Sequence, residues 1–118
     1  MVEDDGMDEV MAGLRQHFVA TLAEHVAAIR EAWRELGESG DRAVQRAAAE
    51  TLLRRAHRLA GNGAMVGFAP ISEAAALLEE TLRAAIDGAG LRTLSPALAP
   101  LVAGVLAACD AASATDPA

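Results

Sequence analysis

The residues best suited to chemistry lie in the stretch 56–68, which reads AHRLAGNGAMVGF. His57 has arginine on both sides, at positions 54, 55 and 58, and glycine follows at positions 61 and 63. A neutral imidazole nitrogen is a competent nucleophile, and phosphorus is a plausible electrophile for it. Guanidinium groups close by would balance the negative charge of a phosphoryl group. These residue types therefore point to His57 as a phosphoryl acceptor, with Arg54 and Arg58 as supporting cations.

The stretch also continues a helical pattern, which predicts where His57 points. At about 100° per residue, the apolar positions around Leu52, Leu59 and Val66 lie on a face about 140° away from His57. His57 is therefore expected to face solvent. Gly61 falls close to His57 on the same face, although glycine in a helix costs about 1 kcal/mol relative to alanine. We interpret Gly61 as a gap through which another protein's active site reaches the imidazole.

Four amphipathic segments account for most of the chain, and no strand pattern is present. The first has apolar residues at steps of three and four over about eight turns, which is typical of a long helix. Residues 37–41 break it, and the second segment is predicted to run from Asp41 or Arg42 to about Val66. The apolar residues of the first segment are Met7, Met11, Leu14, Phe18, Leu22, Val26, Ile29, Trp33 and Leu36.

The third and fourth segments are bounded by proline and glycine. Pro70 is predicted to open the third, and Gly88 and Gly90 to terminate it. Ser95 before Pro96 resembles a helix cap followed by a first-turn proline. Pro100 conflicts with that start, because its missing N–H removes an early helical hydrogen bond. The fourth helix is therefore expected to begin at Pro100 or to have a distorted first turn.

Four such helices with short connections predict an all-α fold, an up-and-down four-helix bundle with a long first helix. The 118 residues suffice for one domain, and 53% hydrophobic residues suffice for a core. The bundle is expected to span residues 7–112. Residues 1–6 are expected to be a disordered N-terminus, and residues 113–118 a disordered tail.

Charge and composition exclude several classes of protein. A net charge of −7 disfavours electrostatic binding to nucleic acid. The one cysteine, Cys109, fits a reducing cytoplasm, and the acidic N-terminus shows no apolar signal region. The apolar runs fall short of about 18 residues, so no membrane span is expected. No metal site is expected, because His17 and His25 lack the spacing of helical ligands and are predicted to be partly exposed.

Residues 56–84 resemble the histidine-containing phosphotransfer (Hpt) domain. The pattern is a histidine followed by leucine, a glycine four residues after the histidine, a second glycine six further on, and a Leu-Glu pair on the next helix. The matching residues are His57, Leu59, Gly61, Gly67, Leu78 and Glu79. The motif covers about a quarter of the chain, and the four-helix pattern covers the rest.

The resemblance implies a phosphorelay protein of two-component signal transduction. His57 would accept a phosphoryl group from the aspartate of a response-regulator receiver domain, or return one to it. The partners would be a receiver domain, a hybrid histidine kinase, or both. The receiver would supply a magnesium ion, so the chain would need no cofactor of its own. It would not be an enzyme, and it shows no Gly-rich phosphate loop for ATP.

One position departs from the family pattern. Many members have lysine three residues after the histidine, where this chain has Ala60. The lysine's phosphate contact therefore does not carry over, and Arg54, Arg58 or the receiver would supply that charge. Asn62 stands where the family often has a small polar residue, and it is predicted to help orient the site. The predicted docking surface consists of Leu53, Ala60, Gly61 and Ala64.

Two alternatives to a monomeric phosphotransfer protein remain open. The first is an interaction module that docks on a receiver or kinase without accepting phosphate, which the absence of lysine at position 60 favours slightly. The second is a coiled-coil dimer formed through the stripe from Met7 to Leu36. A monomer in the cytoplasm, with the stripe packed inside its own bundle, is the preferred prediction.

Overall fold

The structure, a computed structural model, describes residues 2–87 and 91–115. Within these ranges the chain is a succession of helices with no strand. Each helix packs against the next in the chain, α1 also packs against α4, and α2 and α4 touch only slightly. This arrangement confirms the predicted four-helix bundle with a long first helix. The helices are α1 (Val2–Glu38), α2 (Arg42–Val66), α3 (Ala69–Asp87) and α4 (Leu91–Thr115).

The ends of α2, the helix that carries His57, are defined by capping residues. Asp41 is the N-cap, and its Oδ1 accepts a hydrogen bond from the Ala43 N–H at 2.8 Å. Gly67 ends the helix with φ of 85°, a left-handed conformation that glycine adopts without strain. The Phe68 N–H then bonds to the Gly63 carbonyl at 2.8 Å. Both predicted boundaries of α2 are confirmed.

The core combines large aliphatic residues with alanine. Leucine and isoleucine from the facing stripes are fully buried, and burial of each such side chain contributes roughly 1.5–3 kcal/mol. Alanine at the helix contacts lets the backbones approach closely. The fully buried core residues include Leu22, Ile29, Ala49, Leu52, Ala56, Leu59, Ala75, Leu78, Leu82, Leu98 and Val105.

The N-terminal turns of α1 extend past the end of the bundle. Arg15 Nε donates to the Val66 carbonyl at 2.9 Å, so α2 ends level with Arg15. Beyond that level, Met7 and Val10 remain 62% and 58% exposed. The stripe predicted to be buried from Met7 onward is therefore fully buried only from Phe18. The helix gives the molecule a length of 58 Å.

Helix α1 begins at Val2, five residues before the predicted start at Met7. Residues 2–6 thus belong to a helix, although the sequence indicated a disordered N-terminus. The apolar stripe begins at Met7 and does not mark this turn, whereas acidic residue types such as those at positions 3–5 favour a helix N-terminus. The early start of α1 therefore follows from the charge preference of a helix N-terminus and not from hydrophobic periodicity.

Helix α4 also differs from the prediction, because it begins at Leu91 and includes both Pro96 and Pro100. Proline has a φ compatible with a helix, and its cost is the missing N–H donor. Both prolines are exposed, so solvent can hydrate the carbonyls left without a partner. Residues 113–115, predicted to lie in the tail, are helical. The predicted stop at residues 88–90 and tail residues 116–118 lie outside the described residues.

Residues Pro96–Ala114 are apolar and long enough to cross a membrane by length and composition alone, with a mean hydropathy of 1.7 over 19 residues. This corrects the prediction that every apolar run falls short of about 18 residues. One face of the segment packs into the bundle through Leu98, Val102 and Val105. About 28% of the segment is buried inside the bundle, and its other faces are exposed.

His25 is buried at 7% exposure, which corrects the prediction that it is partly exposed. It lies three residues after Leu22 and four before Ile29, both core residues, so its spacing already placed it on the buried face. Burial lowers the pKa of His25, and the charge of Arg55 lowers it further. Arg55 Nη1 lies 3.3 Å from His25 Nδ1, which fits a neutral imidazole that accepts a hydrogen bond at Nδ1.

Candidate functional site

His57 faces solvent from the middle of α2, as the helical pattern predicted. Its side chain is 69% exposed. Ala56 and Leu59, on the opposite side of the helix, are fully buried. Ala56 and Leu59 therefore anchor α2 in the core, while His57 between them presents its imidazole to solvent.

A carboxylate from α3 holds the imidazole. His57 Nδ1 lies 2.8 Å from Glu79 Oε2. An ionised carboxylate only accepts hydrogen bonds, so Nδ1 must carry the proton. In the neutral ring this leaves Nε2 unprotonated, with its lone pair available. The contact thus selects the ring nitrogen that can act as a nucleophile.

Close packing of α2 against α3 brings Glu79 to this place. Ser72 Oγ donates to the Ala60 carbonyl at 2.8 Å. A Cβ at Gly63 would lie 3.4 Å from both the Phe68 carbonyl oxygen and the Ser72 nitrogen, so the start of α3 lies in close contact with α2 here. Glu79 stands two turns beyond Ser72 on α3, and its side chain is only 17% exposed.

Arg83 shares the same carboxylate oxygen. Its Nη2 donates to Glu79 Oε2 at 2.7 Å, one turn along α3. Partial burial raises the pKa of Glu79, but the hydrogen bonds from Arg83 and His57 outweigh burial, and the pKa lies below its usual value. Glu79 is therefore ionised at neutral pH.

The other predicted polar residues point in different directions. Arg54 is exposed, and its Nη2 lies 3.3 Å from Thr51 Oγ1 on its own helix. Arg58 and Asn62 line a groove between α1 and α2. Neither of the predicted helper arginines contacts Glu79, whereas Arg83 does.

The predicted docking residues divide into two groups. Leu53 and Ala60 are half-buried and pack against the core, whereas Gly61 and Ala64 are exposed. A Cβ placed on Gly61 would meet no atom within 4 Å. The chain's own packing therefore does not require glycine at position 61, which is consistent with a role in access to His57.

The groove between α1 and α2 has a volume of about 450 Å³. Leu14 and Met65 line it and remain 42% and 70% exposed. Phe18 and Val66, which also line it, are buried. Arg58, the residue after His57, lines the same groove, so the groove adjoins the turn of α2 that carries the imidazole.

The arrangement offers a nucleophile and no electrophilic centre. Residues 2–87 and 91–115 contain no group of three histidine, cysteine or acidic residues that could hold a metal ion. Cys109 is buried, and burial and the charge of Asp110 raise the pKa of its thiol to about 11. Of the two side chains, His57 and Cys109, His57 is the exposed one.

The family model of the Hpt domain matches residues 13–115. The chain therefore belongs to the Hpt family, whose members are phosphotransfer modules of two-component phosphorelays without kinase activity of their own. Hpt domains interact with receiver domains and kinases, and they are typically soluble. A search of curated proteins and a search of solved structures each returned no match.

Proposed function

We propose that this chain carries phosphoryl groups between partners of a phosphorelay, with His57 accepting them from, and donating them to, receiver aspartates. The observation that supports this most strongly is the 2.8 Å contact between His57 Nδ1 and Glu79 Oε2. This contact occupies Nδ1 and leaves Nε2 available on an exposed side chain. Membership of the Hpt family supports the same role.

The transfer needs one bond to form and one to break. The Nε2 lone pair attacks the phosphorus of an aspartyl phosphate, and the bond between phosphorus and the aspartate oxygen breaks. The electron pair of that bond leaves with the aspartate as a carboxylate. The ring, which retains its Nδ1 proton, becomes positively charged beside Glu79. The reverse transfer follows the same path, and the imidazole then leaves as a neutral group.

The partner completes the site. A receiver domain, free or within a hybrid histidine kinase, would bring the aspartate, a magnesium ion and a lysine. The chain itself would bind no cofactor and no ATP. Its net charge of −7 supports a role without nucleic acid, and a free cysteine supports the cytoplasm. We propose that it acts there as a monomer, without a membrane.

The proposal is tested by mixing the chain with receiver domains that carry labelled phosphate on aspartate. Label is expected to leave one receiver and appear on the chain, whereas labelled ATP without a kinase gives none. Stable binding to a receiver without any transfer of label would instead support the interaction module. Loss of label from every receiver only by hydrolysis would contradict the proposal.

We also propose that the receiver docks over Gly61 and Ala64 and along the α1–α2 groove. Met65→Asp is expected to raise the KM for a phosphorylated receiver by about tenfold, because a charge replaces an exposed apolar contact. Leu77→Asp is the matched control, since Leu77 is 56% exposed on α3. Labelling of both variants by phosphoramidate, a small phosphodonor, should equal that of the wild type. Equal KM values for the two variants would contradict this docking surface.

A further inference from the structure

Two donors compete for one oxygen beside the imidazole. His57 Nδ1 and Arg83 Nη2 lie 2.8 Å and 2.7 Å from the same atom, Glu79 Oε2. The two nitrogens are therefore separated by no more than the sum of these two lengths. A permanent positive charge thus lies beside the nitrogen that carries the imidazole proton.

We infer that Arg83 limits how strongly Glu79 stabilises the protonated ring, and thereby lengthens the lifetime of the phosphoryl group on His57. This inference rests on the proposed function. Arg83 is a positioning residue that acts through Glu79. It lies on the Nδ1 side of the ring, whereas the phosphoryl group is carried by Nε2.

The link to lifetime follows from the leaving group. When water attacks phospho-His57, a bond forms between water oxygen and phosphorus, and the bond between phosphorus and Nε2 breaks. The electron pair returns to Nε2, and a water proton passes to the phosphate or the solvent. The ring leaves as a neutral imidazole only if Nδ1 keeps its proton. Stronger stabilisation of that proton therefore accelerates loss of the phosphoryl group.

Arg83 weakens that stabilisation in two ways. Its guanidinium donates a hydrogen bond to the same oxygen that accepts the Nδ1 proton, which makes that oxygen a weaker acceptor. Its positive charge also repels a positively charged ring through space. The other charged neighbours do not form this contact: Arg54 on α2 lies against Thr51, and Arg58 lines the α1–α2 groove. From α1, Glu24 and His25 associate with Arg55.

The test compares Arg83→Gln with a matched control on another ion pair. Arg46→Gln removes the same charge from the exposed Arg46–Glu50 pair on α2. Arg83→Lys retains the cation. We expect Arg83→Gln to shorten the half-life of phospho-His57 about threefold at neutral pH, the effect of one solvent-screened ion pair. Its pH profile of hydrolysis should shift upward by about half a pH unit, while the other two variants follow the wild type.

A second readout does not depend on phosphoryl transfer. In the unphosphorylated chain, the pH midpoint at which the His57 ring resonances titrate by NMR should also rise by about half a unit in Arg83→Gln. A midpoint and a half-life that both equal those of Arg46→Gln would overturn the inference. Failure of the wild type to take up phosphate, with the midpoint still shifted, would instead contradict the proposed function alone.

Discussion

Replacement of His57 by glutamine is expected to reduce phosphoryl uptake from a receiver to background. No other described residue presents an exposed imidazole at this site, and glutamine offers no nucleophilic nitrogen. Within residues 2–87 and 91–115, His57 makes one side-chain hydrogen bond, to Glu79, and its side chain is 69% exposed. The free energy of unfolding should therefore change by about 0.5 kcal/mol or less.

This prediction is checked by acid-labile labelling together with thermal unfolding. Arg46→Gln is the control, because Arg46 is an exposed residue of the same helix that lies outside the α1–α2 groove. Its label should equal that of the wild type. Persistent acid-labile label on a folded His57→Gln chain would show that another residue accepts the phosphoryl group.

Replacement of Glu79 by alanine is expected to slow transfer by about tenfold, the lower end of what loss of an orienting partner typically costs. Without the carboxylate, the Nδ1 proton is no longer fixed, and the ring can place its proton on Nε2 instead. The nucleophilic lone pair is then lost for part of the time. The measurement is the single-turnover rate of transfer from a phosphorylated receiver.

Two further variants separate orientation from charge. Glu79→Gln keeps an oxygen that can accept from Nδ1, so its rate should lie between those of Glu79→Ala and the wild type. Glu50→Ala removes an exposed carboxylate from the other ion pair, and it should leave the rate unchanged. A Glu79→Ala rate equal to the wild-type rate would show that the contact does not select the reactive nitrogen.

The sequence predicted those features that depend on one helix at a time. The outward direction of His57 and the inward direction of Leu59 follow from the periodicity of α2 alone. The ends of α2 near Asp41 and Val66 were predicted for the same reason, since each depends on local preferences of the backbone.

The features that the sequence did not predict depend on the alignment of two helices. Glu79 reaches His57 because of the way α3 packs on α2, where Ser72 Oγ donates to the Ala60 carbonyl. The residue pattern of α2 or α3 alone does not predict how the two helices align with each other. Arg83 follows from Glu79, so its place beside the imidazole was missed as well. In contrast, the burial of His25 was readable from its spacing to Leu22 and Ile29.

The central claim is that Nε2 of His57 carries the phosphoryl group while Glu79 holds Nδ1. It is tested most directly by NMR of the ¹⁵N-histidine-labelled chain after incubation with a phosphorylated receiver. The account predicts one phosphoramidate signal coupled to Nε2 of His57, with the proton on Nδ1. Phosphorus coupled to Nδ1, to another residue or to no ring nitrogen would contradict it.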